Sequence, residues 1–274
     1  MNIEQALRQA IAGGMERLDA QLLLLHTLER APHDRTWLIS HNTDVLDQQT
    51  QEQFRTLVHR RAKGEPLSYL TGHKEFFGLD LQVDTRVLDP RADTETLVQW
   101  ALDVLQDVPG AAVLDLGTGS GAIALALKHM RPDLQVDALD ASADALAVAQ
   151  ANAERLRLAV RFSQGSWLDK VSAHYHAIVS NPPYVQAHDP HLAALTHEPL
   201  QALVSGADGL DDMRQIIAKA PMHLQPGGWL LLEHGYDQAA AVRSLLADAG
   251  LEAVQSRRDL AGIERCSGGR RAHT

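Results

Sequence analysis

From residue 111 onward, short apolar runs alternate with stretches patterned as helices, and that alternation leaves few folds open. The segments 111–116, 134–139, 160–162, 176–179, 229–232, 251–255 and 264–267 read as strands. Between them, 122–130, 143–156, 213–224 and 239–249 carry helical periodicity. Strand-helix alternation predicts an α/β fold, a mostly parallel sheet with helices on both faces, because parallel neighbours need a crossover connection. No internal repeat or low-complexity segment interrupts the pattern.

The first 72 residues read differently, as a small all-helical domain. Leu18, Leu22, Leu25 and Leu28 recur at helical spacing and are expected on one buried face, with 22–25 apolar all round. Asp44 is a candidate cap for a helix that turns Phe54, Leu57 and Val58 inward. The run Arg60, Arg61, Lys63 is expected to be a solvated helix end closed by Gly64. His26, His33, His41 and His59 are scattered and suggest no metal site. Residues 73–90 form a predicted β-ribbon linker, with Leu79, Leu81 and Val83 alternating after Phe76-Phe77-Gly78. The α/β domain then occupies 91–274, entered by a helix that Asp93 or Thr94 can cap and that buries Leu97, Val98, Ala101, Leu102 and Leu105.

Bulk properties narrow the function. A net charge of −10 disfavours a surface built to bind polyphosphate, so no direct nucleic-acid contact is expected. Cys266 is the single cysteine, which rules out an internal disulfide and suits a reducing compartment; a small residue in a terminal strand is its expected role. Residues 1–5 lack a basic head with an apolar body, and no apolar run reaches the roughly 20 residues that cross a bilayer. The expectation is a soluble, cytoplasmic monomer with no membrane partner.

Two stretches carry chemistry. Asp115-Leu116-Gly117-Thr118-Gly119-Ser120-Gly121 falls where the first strand of the sheet turns into its first helix, so glycines let the backbone approach a ligand at the helix N-terminus. Asp140, ending the second strand, stands where a carboxylate can accept both ribose hydroxyls of a nucleoside cofactor, although it also suits a cap for the helix that follows. Dinucleotide sites use a different glycine spacing, and a carboxylate at Asp115 favours a ligand with a positive amino group, such as S-adenosylmethionine. Asn181-Pro182-Pro183-Tyr184 follows the strand 176–179, and its prolines fix the backbone and remove two donors. Such a corner can hold an amide and an aromatic ring rigidly beside a ligand, or it can be a plain turn.

Taken together, the glycine loop, Asp140 and Asn181-Pro182-Pro183-Tyr184 resemble a Rossmann-like, S-adenosylmethionine-dependent methyltransferase acting on a nitrogen of a planar conjugated group. The motif itself does not choose between a base amino group and a side-chain amide. Glu65 to Gly72, Glu75 to Leu79, Pro90-Arg91 with Asp93-Thr94-Glu95, His188 to Leu192, Glu198-Pro199, Leu231 to Gly235 and Gly268 to Arg271 resemble the release factor glutamine methyltransferases, the HemK or PrmC family. The resemblance implies a seven-stranded sheet whose last strand is antiparallel. It also implies methylation of the side-chain nitrogen (N5) of the glutamine in the Gly-Gly-Gln motif of bacterial peptide chain release factors, modulating translation termination. The expected product of the cofactor is S-adenosylhomocysteine. The competing readings are a DNA or RNA amino-methyltransferase acting on adenine N6 or cytosine N4, and a non-catalytic S-adenosylmethionine or nucleotide binding protein.

On this reading Asp115, Gly117, Thr118, Gly119, Ser120, Gly121, Asp140, Ser166, Trp167 and Asn181 hold the cofactor, with Trp167 either packed on adenine or serving as a partly buried core aromatic. Ser166 stands where relatives often carry an acid, so its hydroxyl replaces a charged acceptor, and Ala92 stands where many have a second proline. Asn181, Pro182, Pro183 and Tyr184 bind the substrate amide. The Asn181 oxygen and Pro182 carbonyl accept its NH2 hydrogens to aim the nitrogen lone pair, while the Tyr184 ring limits rotation. No metal and no general-base histidine are expected. Glu198 is expected to be solvated, and Glu233 and His234 to form a satisfied structural pair.

Overall fold

In the computed structural model, which describes residues 1–273, Asn2 opens the first helix with a reciprocal cap: its Oδ1 accepts from Gln5 N at 2.8 Å while Gln5 Oε1 accepts from Asn2 N at 3.0 Å. The chain divides into two compact units at His73/Lys74. The first contains α1 (Ile3–Ala12), α2 (Arg17–Thr27), α3 (Arg35–Ser40), α4 (Gln48–Ala62) and α5 (Leu67–Thr71). Its core is built from Ile3, Ala6, Leu23, Leu24, Leu25, Leu38, Phe54 and Leu70. Full burial of each large aliphatic residue contributes about 1.5–3 kcal/mol.

Several local expectations change here. Leu18 is exposed and the buried face of α2 runs through Ala20, Leu23, Leu24 and Leu25, since α1 and α4 both pack on it. The cap of α4 is Asp47, whose Oδ1 accepts from Thr50 N at 2.8 Å, rather than Asp44. The basic helix end is not simply solvated: Arg60 forms a fork on Glu65 and Arg61 binds Asp19 Oδ2 at 2.7 Å.

The second unit begins within the ribbon of β1 (His73–Phe76) and β2 (Leu79–Gln82). Asn152, fully buried on α8 (Ala143–Leu156), receives Gln82 N at 2.7 Å and donates to Gln82 O and Ser120 O, tying the ribbon to the glycine loop. After α6 (Glu95–Val104) come β3 (Ala112–Leu116), α7 (Ala122–Met130), β4 (Gln135–Asp140), α8, β5 (Arg161–Gln164) and β6 (Tyr175–Ser180). Then follow α9 (Asp211–His223), β7 (Leu224–Glu233), α10 (Ala239–Asp248), β8 (Glu252–Arg258) and β9 (Glu264–Arg270). The strands form one seven-stranded sheet in the order β5-β4-β3-β6-β7-β9-β8, parallel except for β9, which runs against both its neighbours. The strand expected from 229 begins at Leu224 and passes through Pro226-Gly227-Gly228, held by Arg271 N to Gly228 O at 2.8 Å. Cys266 is buried in β9. Among the described residues no helix is long and apolar enough to cross a membrane.

This topology positions the site. From β3 the chain moves one way to β4 and β5, and from β6 the other way to β7, so the carboxyl ends of β3 and β6 flank the point where the order reverses. Crevices at such points are where open α/β sheets bind ligands. Leu116 pairs with Ser180, and Ser180 Oγ donates to Leu116 O at 2.6 Å, bringing the glycine loop beside the Asn-Pro-Pro-Tyr corner.

Candidate active site

A cleft of about 300 Å³ opens at this edge of the sheet. Gly117, Thr118, Gly119, Ser120, Asp140, Ser166, Trp167, Asn181 and Pro183 line it, so most of the residues singled out in the sequence meet there. Asp115, Gly121, Pro182 and Tyr184 stand outside that wall. Gly117 and Gly119 lie at φ +70° and +56°, in the left-handed region that glycine enters without strain. A Cβ on Gly117 would press on the Trp167 ring at 3.3 Å, whereas one on Gly119 would meet nothing within 4 Å. The loop therefore rests on the indole on one side and faces open space on the other.

Both oxygens of Asp140 hold backbone amides, Gly119 N and Ser142 N, each at 2.9 Å. The cap of α8 is Ser142, whose Oγ accepts from Ala145 N at 3.2 Å, so Asp140 shapes the loop and lines the cleft. Asp115 is fully buried, accepting from Thr118 Oγ1 at 2.6 Å and Ala124 N at 3.2 Å through Oδ2, while Oδ1 has no partner. Burial pushes its carboxyl up to about 7, against the pull of those two donors. Trp167 sits at φ +43° and donates from Nε1 to Asp212 Oδ1 at 3.0 Å.

At the corner, Asn181 Nδ2 donates to Thr94 Oγ1 at 3.2 Å, and Asn181 Oδ1 is buried with no partner. An orphaned amide oxygen beside a cleft is unusual, because buried polar atoms are nearly always paired. Tyr184 packs against a hydrophobic cluster that includes Leu116, Ile178 and Leu232, with its hydroxyl 3.5 Å from Glu233 Oε1. Burial, with the nearby Glu233 charge, raises the Tyr184 pKa, so the phenol stays protonated.

Two side-chain expectations are corrected. Glu198 is not solvated: its side chain is 2% exposed and receives Arg91 Nη2 at 2.5 Å and Asp89 N at 3.3 Å, folding the loop after the motif back so that Pro199, Gln201 and Ala202 join the cleft wall. Glu233 and His234 are not a pair. His234 is satisfied separately by Gly235 O and Ser267 Oγ, both at 2.8 Å, and burial lowers its pKa, whereas Glu233 Oε2 has no partner. Thr94 and Asp212 enter the site without having been read as site residues. Thr94 lies inside Asp93-Thr94-Glu95, where it looks like a helix cap, and Asp212 opens α9 as any acid near a helix N-terminus can. Among the described residues no cluster of three or more histidine, cysteine, aspartate or glutamate side chains could hold a metal ion.

A cleft lined by a glycine loop and a strand-end carboxylate, beside an amide with an unpartnered acceptor oxygen, suits moving a small group onto an N–H nucleophile, and the Methyltransferase small domain matches residues 93–208. The second unit is a methyltransferase. A methyltransferase from Pyrococcus furiosus shares its fold, with a TM-score of 0.55 at 19% identity over 81% of this chain and 99% of that one. Residues 2–72 match the PrmC N-terminal domain. The release factor glutamine methyltransferase of Xylella fastidiosa is 49% identical over 97% of both chains, and that of Burkholderia pseudomallei is 48% identical over 94% of this chain and 93% of its own. With both regions matched and likeness running nearly end to end, the chain belongs to the release factor glutamine methyltransferase family.

Proposed function

We propose that this protein transfers a methyl group from S-adenosylmethionine to the side-chain nitrogen of the glutamine in the Gly-Gly-Gln motif of bacterial peptide chain release factors. The observation that carries this reading is the Asn181 amide, anchored through Nδ2 to Thr94 and left with a buried, unpartnered oxygen beside the cleft. That oxygen fits a substrate NH2, which brings the donor the site lacks. A neutral amide nitrogen needs orientation more than deprotonation, since it becomes acidic as the new bond forms. Asn181 Oδ1 and the Pro182 carbonyl aim it, and fixing that geometry beforehand lowers the barrier. Tyr184, held in the apolar layer, keeps the corner rigid.

The residues present fit the cofactor. Gly119 leaves open space at the loop, Asp140 keeps lone pairs for ribose hydroxyls beyond its two amide bonds, and Asp115 Oδ1 is a buried acceptor. Ser166 and Trp167 line the same cleft and suit the adenine end. When bound, S-adenosylmethionine supplies an electrophilic methyl group on a positive sulfur and leaves as S-adenosylhomocysteine. We assign no role to a metal. The helical unit docks the release factor and presents its glutamine loop, and the enzyme acts as a cytoplasmic monomer.

Incubating the full chain with methyl-labelled S-adenosylmethionine and a release factor, the same factor with its Gly-Gly-Gln glutamine replaced, DNA, or RNA tests this directly. Label is expected in the intact release factor alone. Label in nucleic acid would move the assignment to a base amino-methyltransferase, and label nowhere to a binding protein.

A further inference from the structure

Trp167 stands in the cleft wall in an uncommon conformation. Its φ of +43° lies in the left-handed region, where a bulky aromatic residue is an outlier. Strain of that kind persists only where the surroundings fix the residue, and it gathers at ligand sites. The indole is fixed by packing and by one hydrogen bond. It lies so close to the glycine loop that a Cβ on Gly117 would come within 3.3 Å of the ring, and it packs against the cluster that contains Met213 and Ile216 of α9. Its Nε1 donates to Asp212 Oδ1 at 3.0 Å.

Asp212 is itself firmly seated. It belongs to the first turn of α9, and its backbone N donates to Ser205 Oγ at 2.8 Å. Ser205 is 2% exposed, and its own N donates to Val185 O at 3.0 Å, one residue beyond the Asn-Pro-Pro-Tyr corner. The acid is therefore anchored to the loop that carries the corner. It also lines the cleft, where Asp140 is the other acid among the described residues. An acid in the first turn of any helix is favourable, because that end carries partial positive charge. The helix end does not account for the meeting with Nε1.

We propose that Asp212 is a positioning residue of the cofactor site: it pins the Trp167 indole so that the ring is held ready as the wall against which the adenine of S-adenosylmethionine packs. The inference rests on the S-adenosylmethionine reading of this cleft. A carboxylate only accepts and the indole N–H only donates, so the bond forms in one of the two half-turn positions of the ring. Half a turn would carry Nε1 away from the acid and give up the bond. Fixing the ring before the ligand arrives removes an ordering cost that binding would otherwise bear. Ser166, beside it in the wall, offers a neutral acceptor where a charged one would bind more strongly, so more of the hold on the adenosine end falls to the indole.

The test is calorimetry of S-adenosylhomocysteine binding to the full chain, as wild type, Asp212→Ala, Asp212→Asn, Trp167→Phe and the variant carrying both Trp167→Phe and Asp212→Ala, with melts of the cofactor-free proteins alongside. Asp212→Ala is expected to weaken binding roughly tenfold, the scale of one charge-assisted hydrogen bond. Its kcat for release factor methylation at saturating cofactor should change less than about threefold, since a ground-state contact is lost. Asp212→Asn, whose amide oxygen still accepts from Nε1, should bind within about threefold of the wild type. In Trp167→Phe, which has no N–H to hold, adding Asp212→Ala should cost less than about twofold. Equal losses in the two backgrounds, or Asp212→Asn as weak as Asp212→Ala, would overturn the pin, because the helix charge and not the hydrogen bond would then be the cause. The indole N–H resonance of the wild type, assigned by its absence from Trp167→Phe, leaves Asp212 untouched. Before cofactor is added it should exchange with solvent more slowly than an exposed indole, and free exchange overturns the proposal even where Asp212→Ala does not fold. No binding by the wild type defeats the S-adenosylmethionine reading itself.

Discussion

Gly209 gives a sharp test of how the Asn-Pro-Pro-Tyr corner is held. It lies at φ +76°, and a Cβ there would overlap the Tyr184 carbonyl oxygen, lie 3.0 Å from the carbonyl carbon and 2.7 Å from Gln238 Nε2. That carbonyl is clamped from the far side of the chain, accepting from Gln238 Nε2 at 3.0 Å, and Gln238 also donates to Asp208 O and accepts from Gly235 N. Relaxed carbon contacts sit near 3.5–4.0 Å, so the backbone at Tyr184 must retreat by at least about 0.5 Å in Gly209→Ala. A left-handed alanine costs about 1–2 kcal/mol and the overlap about 1–3 more, giving a loss of stability of about 2–5 kcal/mol. Displacement at the corner should lower kcat by roughly a hundredfold. Gly250→Ala isolates the conformational part, because Gly250 has φ +79° with nothing within 4 Å of a Cβ. It should cost only about 1–2 kcal/mol and leave kcat unchanged. Denaturant melts and release factor methylation rates on both variants make the comparison. If Gly209→Ala is as stable and as active as Gly250→Ala, the corner is not held as described.

Asn181→Ala should cut kcat by about 10²–10³ while S-adenosylmethionine binding by calorimetry stays within a few-fold, because the lost contact is to the substrate amide. Arg91→Met strands Glu198, whose side chain is 2% exposed, with only Asp89 N for company. Since Arg91 is itself 38% exposed, the expected loss is at the lower end for a broken buried pair, about 2–3 kcal/mol in a urea melt, with Glu198→Gln added to recover part of it. Burial raises Asp115 to about 7, well above the ordinary carboxylate range of an unfolded chain, so between those values the folded protein binds more protons than the unfolded chain. Its contribution to stability is therefore greatest in acid and falls as pH rises through that window. Asp115→Asn should lessen this downward slope in the cofactor-free protein, the buried Glu233 keeping its own share, as read by melts at several pH values; an unchanged slope would count against the burial argument.

Elements set by local periodicity were legible from the sequence. The helices at 122–130 and 143–156 match α7 and α8 at both ends, because each is bounded by a local signal, a glycine loop or a serine cap. The glycine loop, Asp140 and Asn181 were legible as well, because tight turns at strand ends demand particular residue types. What escaped depends on pairings distant in sequence. Glu198 looked like any loop acid until Arg91, 107 positions earlier, came to meet it. Thr94 became a site residue only once the start of α6 was brought to Asn181, and no periodicity encodes that meeting. The exposed Leu18 shows the same limit in a helix: apolar spacing identifies a face, and the neighbours α1 and α4 decide which face is covered.

In the proposed reaction a protein glutamine receives the methyl group through orientation by Asn181. The most direct measurement is tandem mass spectrometry of a release factor treated with the full chain and S-adenosylmethionine, with Asn181→Ala run in parallel. A single methyl on the side-chain nitrogen of the Gly-Gly-Gln glutamine, present with the wild type and nearly absent with Asn181→Ala, is the predicted result. A methyl on another residue, or equal methylation by the two proteins, would contradict it.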